Sequence, residues 1–413
     1  MTTLERELSA GGDPASAWNK LFAQSSAGTA GSGPLVGVRV VEASTLIAAP
    51  LAATLLADFG AQVIKIEQPG RGDPLRGYPP FKDGQSLFHK ATNRNKLSMA
   101  LDFHLEEDGE VMRELVAQAD VFITNFRLPT LQKWGLDHDQ LVGLNPSLVM
   151  LHLTAYGRTG PLADHPGFAR VAEAFAGLTQ ISGPRGGEPM FSGYPLGDGL
   201  AGYFGAYATM LGLFRQRATG QGELVDLALY EPVMRMMDDL ITGYTSTGEI
   251  RSATGNDQAY ACPSGVYPTS DGRWLVLPAS TEAMWQRLAA VMGASDLAGM
   301  DLEQRLANRN LVDKRVADFT TDYTLAEIVP LLRERGLACG PVNTAHDIVE
   351  NEHVAARSNL VTVPDSQLGE VTMQAALPRL VNEPGGVWSP GRPLGCDNQA
   401  ILEHLLPHRS SEA

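Results

Sequence analysis

Apolar residues run almost unbroken from Val36 to Val41, interrupted only by Gly37 and Arg39. That is the pattern of a strand covered on both faces. The alanine- and leucine-rich stretch AAPLAATLLADFGA (48–61) then reads as a helix that ends near Gly60, a good residue just past a helix C-terminus. QVIKIE (62–67) reads as a second strand. Strand, short helix and strand within about thirty residues make a βαβ unit, and hence a parallel sheet. A helix over 106–119 leads to a strand at 121–126, and further strands are predicted at 148–154 and 223–229. The fold class is therefore α/β, with a large doubly wound open sheet whose ligands belong beyond the carboxyl ends of its strands.

The segment GLAGYFGAYATMLGLFRQR (199–217) has a different character. Gly199, Gly202 and Gly205 fall at every third position, a face of small side chains that lets a neighbouring backbone come close. Basic residues near its end and Gly220 beyond it mark the helix C-terminus. Further on, GVYPTSDGRWLVLPA (265–279) reads as a β-hairpin turning at Asp271-Gly272. The predicted organisation is a flexible extension over 1–33 and a large domain from 34–229 and 351–413. Connecting stretches at 230–253 and 326–350 frame a smaller α+β domain at 254–325.

Composition changes the picture mainly by exclusion. The chain has 413 residues, 44% apolar, enough for a sizeable core and for more than one domain. A formal charge of −15 excludes a nucleic-acid partner, which needs a basic surface, but leaves room for a small anion in a local basic pocket. No stretch approaches the roughly 20 apolar residues of a membrane span. No basic region followed by an apolar run opens the chain, so a cytoplasmic protein is expected. Cys262, Cys339 and Cys396 are too scattered for a disulfide framework, and no metal site is expected.

Four places carry candidate chemistry. GRGDPLRG (70–77) follows a predicted strand and offers backbone amides with Arg71 and Arg76 for phosphate; an ordinary turn is the alternative. NRNKLSMALD (93–102) brings Arg94 and Lys96 to a strand entry, a pattern that solvated strands share. Asn125 and Phe126 end the strand at 121–126, where a ring can stack on a base. GYPLGDGLAG (193–202) places Asp198 at a helix start between two glycines. Locally Asp198 reads as an N-cap. The same geometry also admits a nucleophile, because a carboxylate needs no base to attack and open amides beside it favour an anionic intermediate.

Taken together and in order, these segments resemble the class III CoA-transferase family, which includes formyl-CoA transferase and carnitine CoA-transferase. The matching stretches include FGAQVIKIEQPGRGDPLR (59–76), NRNKLSMALD (93–102), TNFRLPTLQKWGL (124–136), LTAYGRTGP (153–161), GYPLGDGLAG (193–202) and CPSGVYPTSDG (262–272). The resemblance implies a Rossmann-like large domain and an interlocked dimer, with coenzyme A entering as the acyl-CoA substrate and a carboxylic acid as acceptor. It implies Asp198 as the residue that forms an anhydride and then a CoA thioester, with Arg71, Arg76, Lys96, Asn125, Phe126 and Lys133 near the CoA. A homodimer is implied, with a heteromeric pair as the alternative.

Departures from the family pattern narrow this. Ile47 stands where formyl-CoA transferases carry a glutamine, and TGNDQAYACPSG (254–265) is poor in the glycines of their lid. Formyl and oxalate are therefore not the expected substrates. An α-methylacyl-CoA racemase shares the fold, but Phe168 occupies the place of its histidine base.

Overall fold

The structure is a computed structural model and describes residues 13–25, 33–258 and 260–410. The chain divides into two compact units, one holding residues up to Leu178, Ser192–Asp239 and Ala356 onward, the other Thr179–Phe191 and Leu240–Ala355.

In the first unit the elements that position the site are helix α1 (Pro14–Ser25), strand β1 (Arg39–Ala43), helix α2 (Ala48–Ala57), β2 (Gln62–Glu67), β3 (Lys96–Ala100), α3 (Glu106–Gln118), β4 (Val121–Thr124), α4 (Leu128–Trp134), β5 (Val149–Thr154), α5 (Ala169–Phe175), α6 (Leu196–Thr219) and β6 (Glu223–Ala228). The six strands form one sheet in the order β3-β2-β1-β4-β5-β6, every pair parallel. The order reverses between β1 and β4, which opens a crevice at their carboxyl ends.

The two-residue period of the strands sorts their side chains into two cores. Val41, Ile64, Leu97, Phe122 and Met150 face one core with α1 and α3, whereas Val40, Val63, Val121, Val149 and Leu151 face the other with α2 and α6. The glycine face of α6 does what its spacing implies. A Cβ at Gly202 would lie 2.8 Å from Leu51, and one at Gly212 2.6 Å from Val149, so α6 lies close on α2 and the sheet only because those positions lack side chains.

Two expectations change. Helix α1 lies inside the stretch expected to be a flexible extension, yet Trp18 and Leu21 are fully buried and pack with Ile401 and Leu405 near the C-terminus. Its apolar residues at 18, 21 and 22 make one face of a helix, a signal that the Ala/Gly/Ser-rich surroundings hid; residues 1–12 and 26–32 of that stretch lie outside the described residues. In the second unit Ser264–Pro268 and Trp274–Pro278 pair as the expected hairpin, with Gly272 at φ 72 in its turn. Its core extends past the expected boundary, because Ile328, Leu332 and Leu337 join Tyr267, Leu275 and Leu288. Residues 325–334 form a helix of that unit and not a connecting stretch. Among the described residues no helix is long and apolar enough to cross a membrane.

Candidate active site

Asp198 sits in the first turn of α6, three residues past the N-cap position, which is filled by Pro195 without a side-chain cap bond. The expected cap role belongs to another residue. Glu173 of α5 is 1% exposed, and its Oε1 accepts from the Gly197 amide at 2.9 Å. Gly197 permits the approach, since a Cβ there would meet Ala169 O at 3.1 Å and Glu173 Cγ at 3.4 Å. Capping from outside the helix frees Asp198. Among the described residues nothing forms a hydrogen bond or ion pair with its half-buried carboxylate. Not every amide of the helix start is open, however. Gly197 donates to Glu173, and Gly199 donates to Pro195 O at 3.2 Å.

The electrostatics follow from that arrangement. Burial, and then the Glu173 carboxylate, push the Asp198 carboxyl up to about 7. A helix N-terminus ordinarily favours a carboxylate, so desolvation and like charge outweigh the dipole here. The Tyr194 hydroxyl is pushed up by burial and then by the Asp198 charge, which puts the phenol within electrostatic reach of Asp198. Its ring lies 6.4 Å from that of Phe88.

The six expected CoA contacts separate into two groups. Arg71 and Lys133 are exposed, with no partner for their charged heads among the described residues. The others are engaged within the protein. Lys96 is 2% exposed, and its ammonium donates to Glu42 at 2.7 Å, Pro50 O at 2.7 Å and Asn93 at 3.0 Å. With all three protons used, it has none for a phosphate, and Lys96 is withdrawn from the CoA contacts. Arg94, beside it, pairs with the buried Asp58, so the 93–96 stretch is neither a solvated strand entry nor a phosphate clamp. Arg76 makes a two-pronged pair with Glu67 at 2.6–2.7 Å and also donates to Arg392 O, leaving one guanidinium nitrogen. Phe126, partly buried, packs edge-on against Trp134 at 5.1 Å, the two lying against the core cluster.

Asn125 is bound up in the loop beside it. Its amide accepts from Thr45 N–H at 3.0 Å and donates to Thr45 O at 2.8 Å, locking the loop after β1 to the end of β4 across the crevice. The next residue, Leu46, has φ 67, a costly backbone state for leucine, and its amide donates to Asp73 at 3.0 Å. The crevice floor is thus clamped from both sides.

Sequence reasoning passed over a cavity of about 200 Å³ at the ends of β4 and β5, lined by Asn125, Arg127, His152, Arg158, His165 and Phe168 among others. Within it Arg158 Nη1 donates to His152 Nδ1 at 2.9 Å. The other ring nitrogen must then carry the proton, and it donates to Phe126 O at 2.8 Å. Burial drives the His152 pKa down, in keeping with a neutral ring that orients Arg158. The mid-strand position of His152 was the available signal. The partner six residues on is visible only once the turn at Gly157 brings it back. Glu173 was missed because its role depends on the packing of α5 against α6. Among the described residues no group of side chains could hold a metal ion.

The chain is similar over most of its length to known proteins. A family model described as "CoA-transferase family III" matches residues 35–398. Among curated relatives, succinyl-CoA–D-citramalate CoA-transferase of Chloroflexus aurantiacus is 37% identical over 381 residues, covering 90% of this chain and 94% of that protein. The beta subunit of succinyl-CoA–L-malate CoA-transferase from the same organism is 38% identical over 387 residues, covering 92% and 96%. Among solved structures, a CaiB/BaiF family protein from Brucella suis aligns with a TM-score of 0.83 at 28% identity, covering 91% of this chain and 100% of that one.

Proposed function

The chain belongs to CoA-transferase family III, and from that membership we propose that it moves CoA from succinyl-CoA to a malate-like hydroxydicarboxylic acid, with Asp198 as the nucleophile. The observation that carries the reading is the state of Asp198, a half-buried carboxylate in a helix's first turn with no hydrogen-bond partner of its own among the described residues. The helix start needs nothing from Asp198, because Glu173 takes the Gly197 amide. The substrate class is taken from the relatives, which are named for succinyl-CoA as donor and for citramalate and malate as acceptors. Those acceptors share a 2-hydroxysuccinate skeleton.

In this mechanism the Asp198 carboxylate attacks the succinyl carbonyl and expels the CoA thiolate, giving a mixed anhydride. The thiolate then attacks the aspartyl carbonyl, releasing succinate and leaving CoA as a thioester on Asp198. The acceptor carboxylate attacks that thioester to form a second anhydride, and the thiolate returns to the acceptor's carbonyl to free Asp198. Arg71 and Lys133, whose heads are unpaired among the described residues, are the cations assigned to the CoA phosphates, with Arg76, Asn125 and Phe126 shaping the surroundings. Phe168, 68% exposed at the start of α5, offers no base for an α-proton, which weighs against the racemase chemistry of the same fold.

The working form is proposed to be a homodimer of interlocked chains. Tyr203, Tyr207, Leu211 and Phe214 form an exposed apolar stripe along α6, of the kind that subunit contacts cover. Light scattering that returned a monomer at assay concentrations would remove this part of the proposal.

The test of function is incubation with succinyl-CoA and a panel of acids, followed by hydroxylamine trapping and mass spectrometry. CoA transfer to malate or citramalate with label on Asp198 is expected. An Asp198→Ala protein that kept full activity would refute the nucleophile assignment, and a preference for monocarboxylic acceptors would refute the substrate class.

A further inference from the structure

Glu173 is the one buried carboxylate beside Asp198, and capping alone does not require it to be charged. A serine, asparagine or glutamine oxygen satisfies an orphan helix amide as well. A carboxylate at this place also sets a formal negative charge at the N-terminus of a 24-residue helix, the end that attracts anions. It also bonds the residue directly before Asp198, which brings it near a second carboxylate.

We propose that Glu173 is a positioning residue that does more than cap the helix. It holds a like charge against Asp198, and the repulsion is relieved whenever Asp198 becomes part of a neutral ester or anhydride. The inference rests on Asp198 being the nucleophile. Its chemistry is an exchange that balances. The enzyme carboxylate and succinyl-CoA give the enzyme–CoA thioester and free succinate; the succinyl–sulfur bond and one aspartyl carbon–oxygen bond break, a succinyl carbon–oxygen bond and an aspartyl–sulfur bond form, and the transferred oxygen leaves with succinate carrying the negative charge. Any neighbour that raises the free energy of the Asp198 carboxylate without touching its neutral derivatives pushes this exchange toward the covalent state. Protonation and acylation both discharge the same oxygen atoms. Glu173 must therefore favour both by about the same factor.

The surroundings of Asp198 leave Glu173 as its principal charged neighbour. Helix α2, packed on α6, has no titratable residue. α5 also carries Arg170, while Tyr194 and Tyr203 are the nearby phenols. Under α6, Asp226 is bonded to the Arg158 amide, Glu223 pairs with Arg215, and His152 is held by Phe126 and Arg158. On the helix Tyr230–Met236, Glu231 accepts from the Ala228 amide, and Arg235 pairs with Asp238. Burial and Glu173 then account for the Asp198 carboxyl standing near 7.

The test is Glu173→Gln, which keeps an oxygen for the Gly197 amide and removes the charge. Two quantities are read in the full-length protein with succinyl-CoA: the midpoint of the acid limb of kcat/KM against pH, and the equilibrium fraction of protein carrying CoA by intact mass. The limb is expected to move to lower pH, and the ratio of CoA-bound to free enzyme to fall about tenfold for each pH unit of that movement. Glu173→Asp, which keeps the charge, should restore most of both, and it serves as the readout should the glutamine protein fold poorly. A limb and an adduct ratio that stay where they are in the wild type would show Glu173 to be a cap and nothing more. Movement of one without the other breaks the link between protonation and acylation and overturns the inference. Equal adducts in wild type and variant sink this inference alone. No CoA on Asp198 in either protein sinks the nucleophile assignment as well.

Discussion

Two carboxylates of the first unit have been taken out of water with opposite results. Glu42, on β1, is wholly buried; burial alone would raise its carboxyl, but Lys65 and Lys96 overcome that and hold it down at about 2. Its oxygens receive Lys65 at 2.9 Å, Lys96 at 2.7 Å and Ser44 at 2.6 Å. Asp198 is half-buried, and its carboxyl stands near 7 because burial raises it and its charged neighbour, the Glu173 carboxylate, adds to the rise where Glu42's lysines oppose it. Burial raises both acids, and the neighbours decide whether that rise stands or is overturned. Glu42 and its lysines make a fixed strut beneath the sheet, whereas Asp198 is left in a condition that favours reaction. The same rule divides the cations: Lys96 is locked into the strut, while the charged heads of Arg71 and Lys133 have no partner among the described residues.

The widest gap between the two acids should appear in catalysis. Asp198→Ala is expected to lower kcat/KM by on the order of 10³-fold or more, since the covalent path closes altogether, while thermal unfolding stays cooperative. Steady-state transfer from succinyl-CoA to malate measures it. A loss of tenfold or less would put Asp198 in the same structural class as Glu42.

Glu42→Gln probes the other side. It leaves two buried ammonium groups facing a neutral amide, and removing one partner of a buried ion pair costs about 3–5 kcal/mol. Urea denaturation should show a midpoint lowered accordingly. The pH dependence carries the sign: the Glu42 carboxyl is held below its ordinary range, so its contribution is complete above about 4.5 and is lost as the pH falls toward 2. A neutral outcome would mean that the strut is dispensable, and that burial without partners explains as much.

The sequence makes one of these regions far more legible than the other. The strands expected at 62–67 and 223–229, the parallel sheet and the hairpin expected at 265–279 follow from periodicity and turn residues, because local pattern and burial agree there. Asp198 is found through the order of motifs around it, not through its own surroundings, which read as a helix cap. The strut escaped notice because Glu42, Lys65 and Lys96 lie 54 residues apart in sequence at the extremes and meet only when β1, β2 and β3 become neighbours. In a strand, a charged residue looks solvent-facing until the sheet is known to be covered on both sides. That is why Lys96 reads locally as part of a solvated strand entry, and through the family resemblance as a ligand contact, yet turns out to be internal.

A smaller effect tests Asp198 as a burden on folding. Its carboxyl is raised above its ordinary 3.8, so the stability tied to the protonated form is present below about 4 and lost as the pH rises through 7. Asp198→Asn removes that loss. The variant should be more stable than the wild type by about 2 kcal/mol at pH 8, after discounting for partial exposure, and level with it at pH 4. Paired urea titrations at the two pH values decide it. An equal gain at both would point to packing instead of charge.

The smallest effect expected is at the free cations. Arg71→Ala and Lys133→Ala each remove one exposed charge assigned to CoA phosphates, a contact worth about 0.5–1 kcal/mol in water. The KM for succinyl-CoA should rise about threefold in each, with kcat held, and the rise should shrink as salt approaches 1 M, where screening acts within about 3 Å. The contrast with Lys96 is what gives the measurement its use. Lys96→Met takes a charge from the strut and should lower stability while leaving the KM of the folded protein near that of the wild type. If Lys96→Met instead raised KM selectively and spared stability, the division between locked and free cations drawn from the hydrogen-bond geometry would be wrong, and CoA would have to reach beneath the sheet.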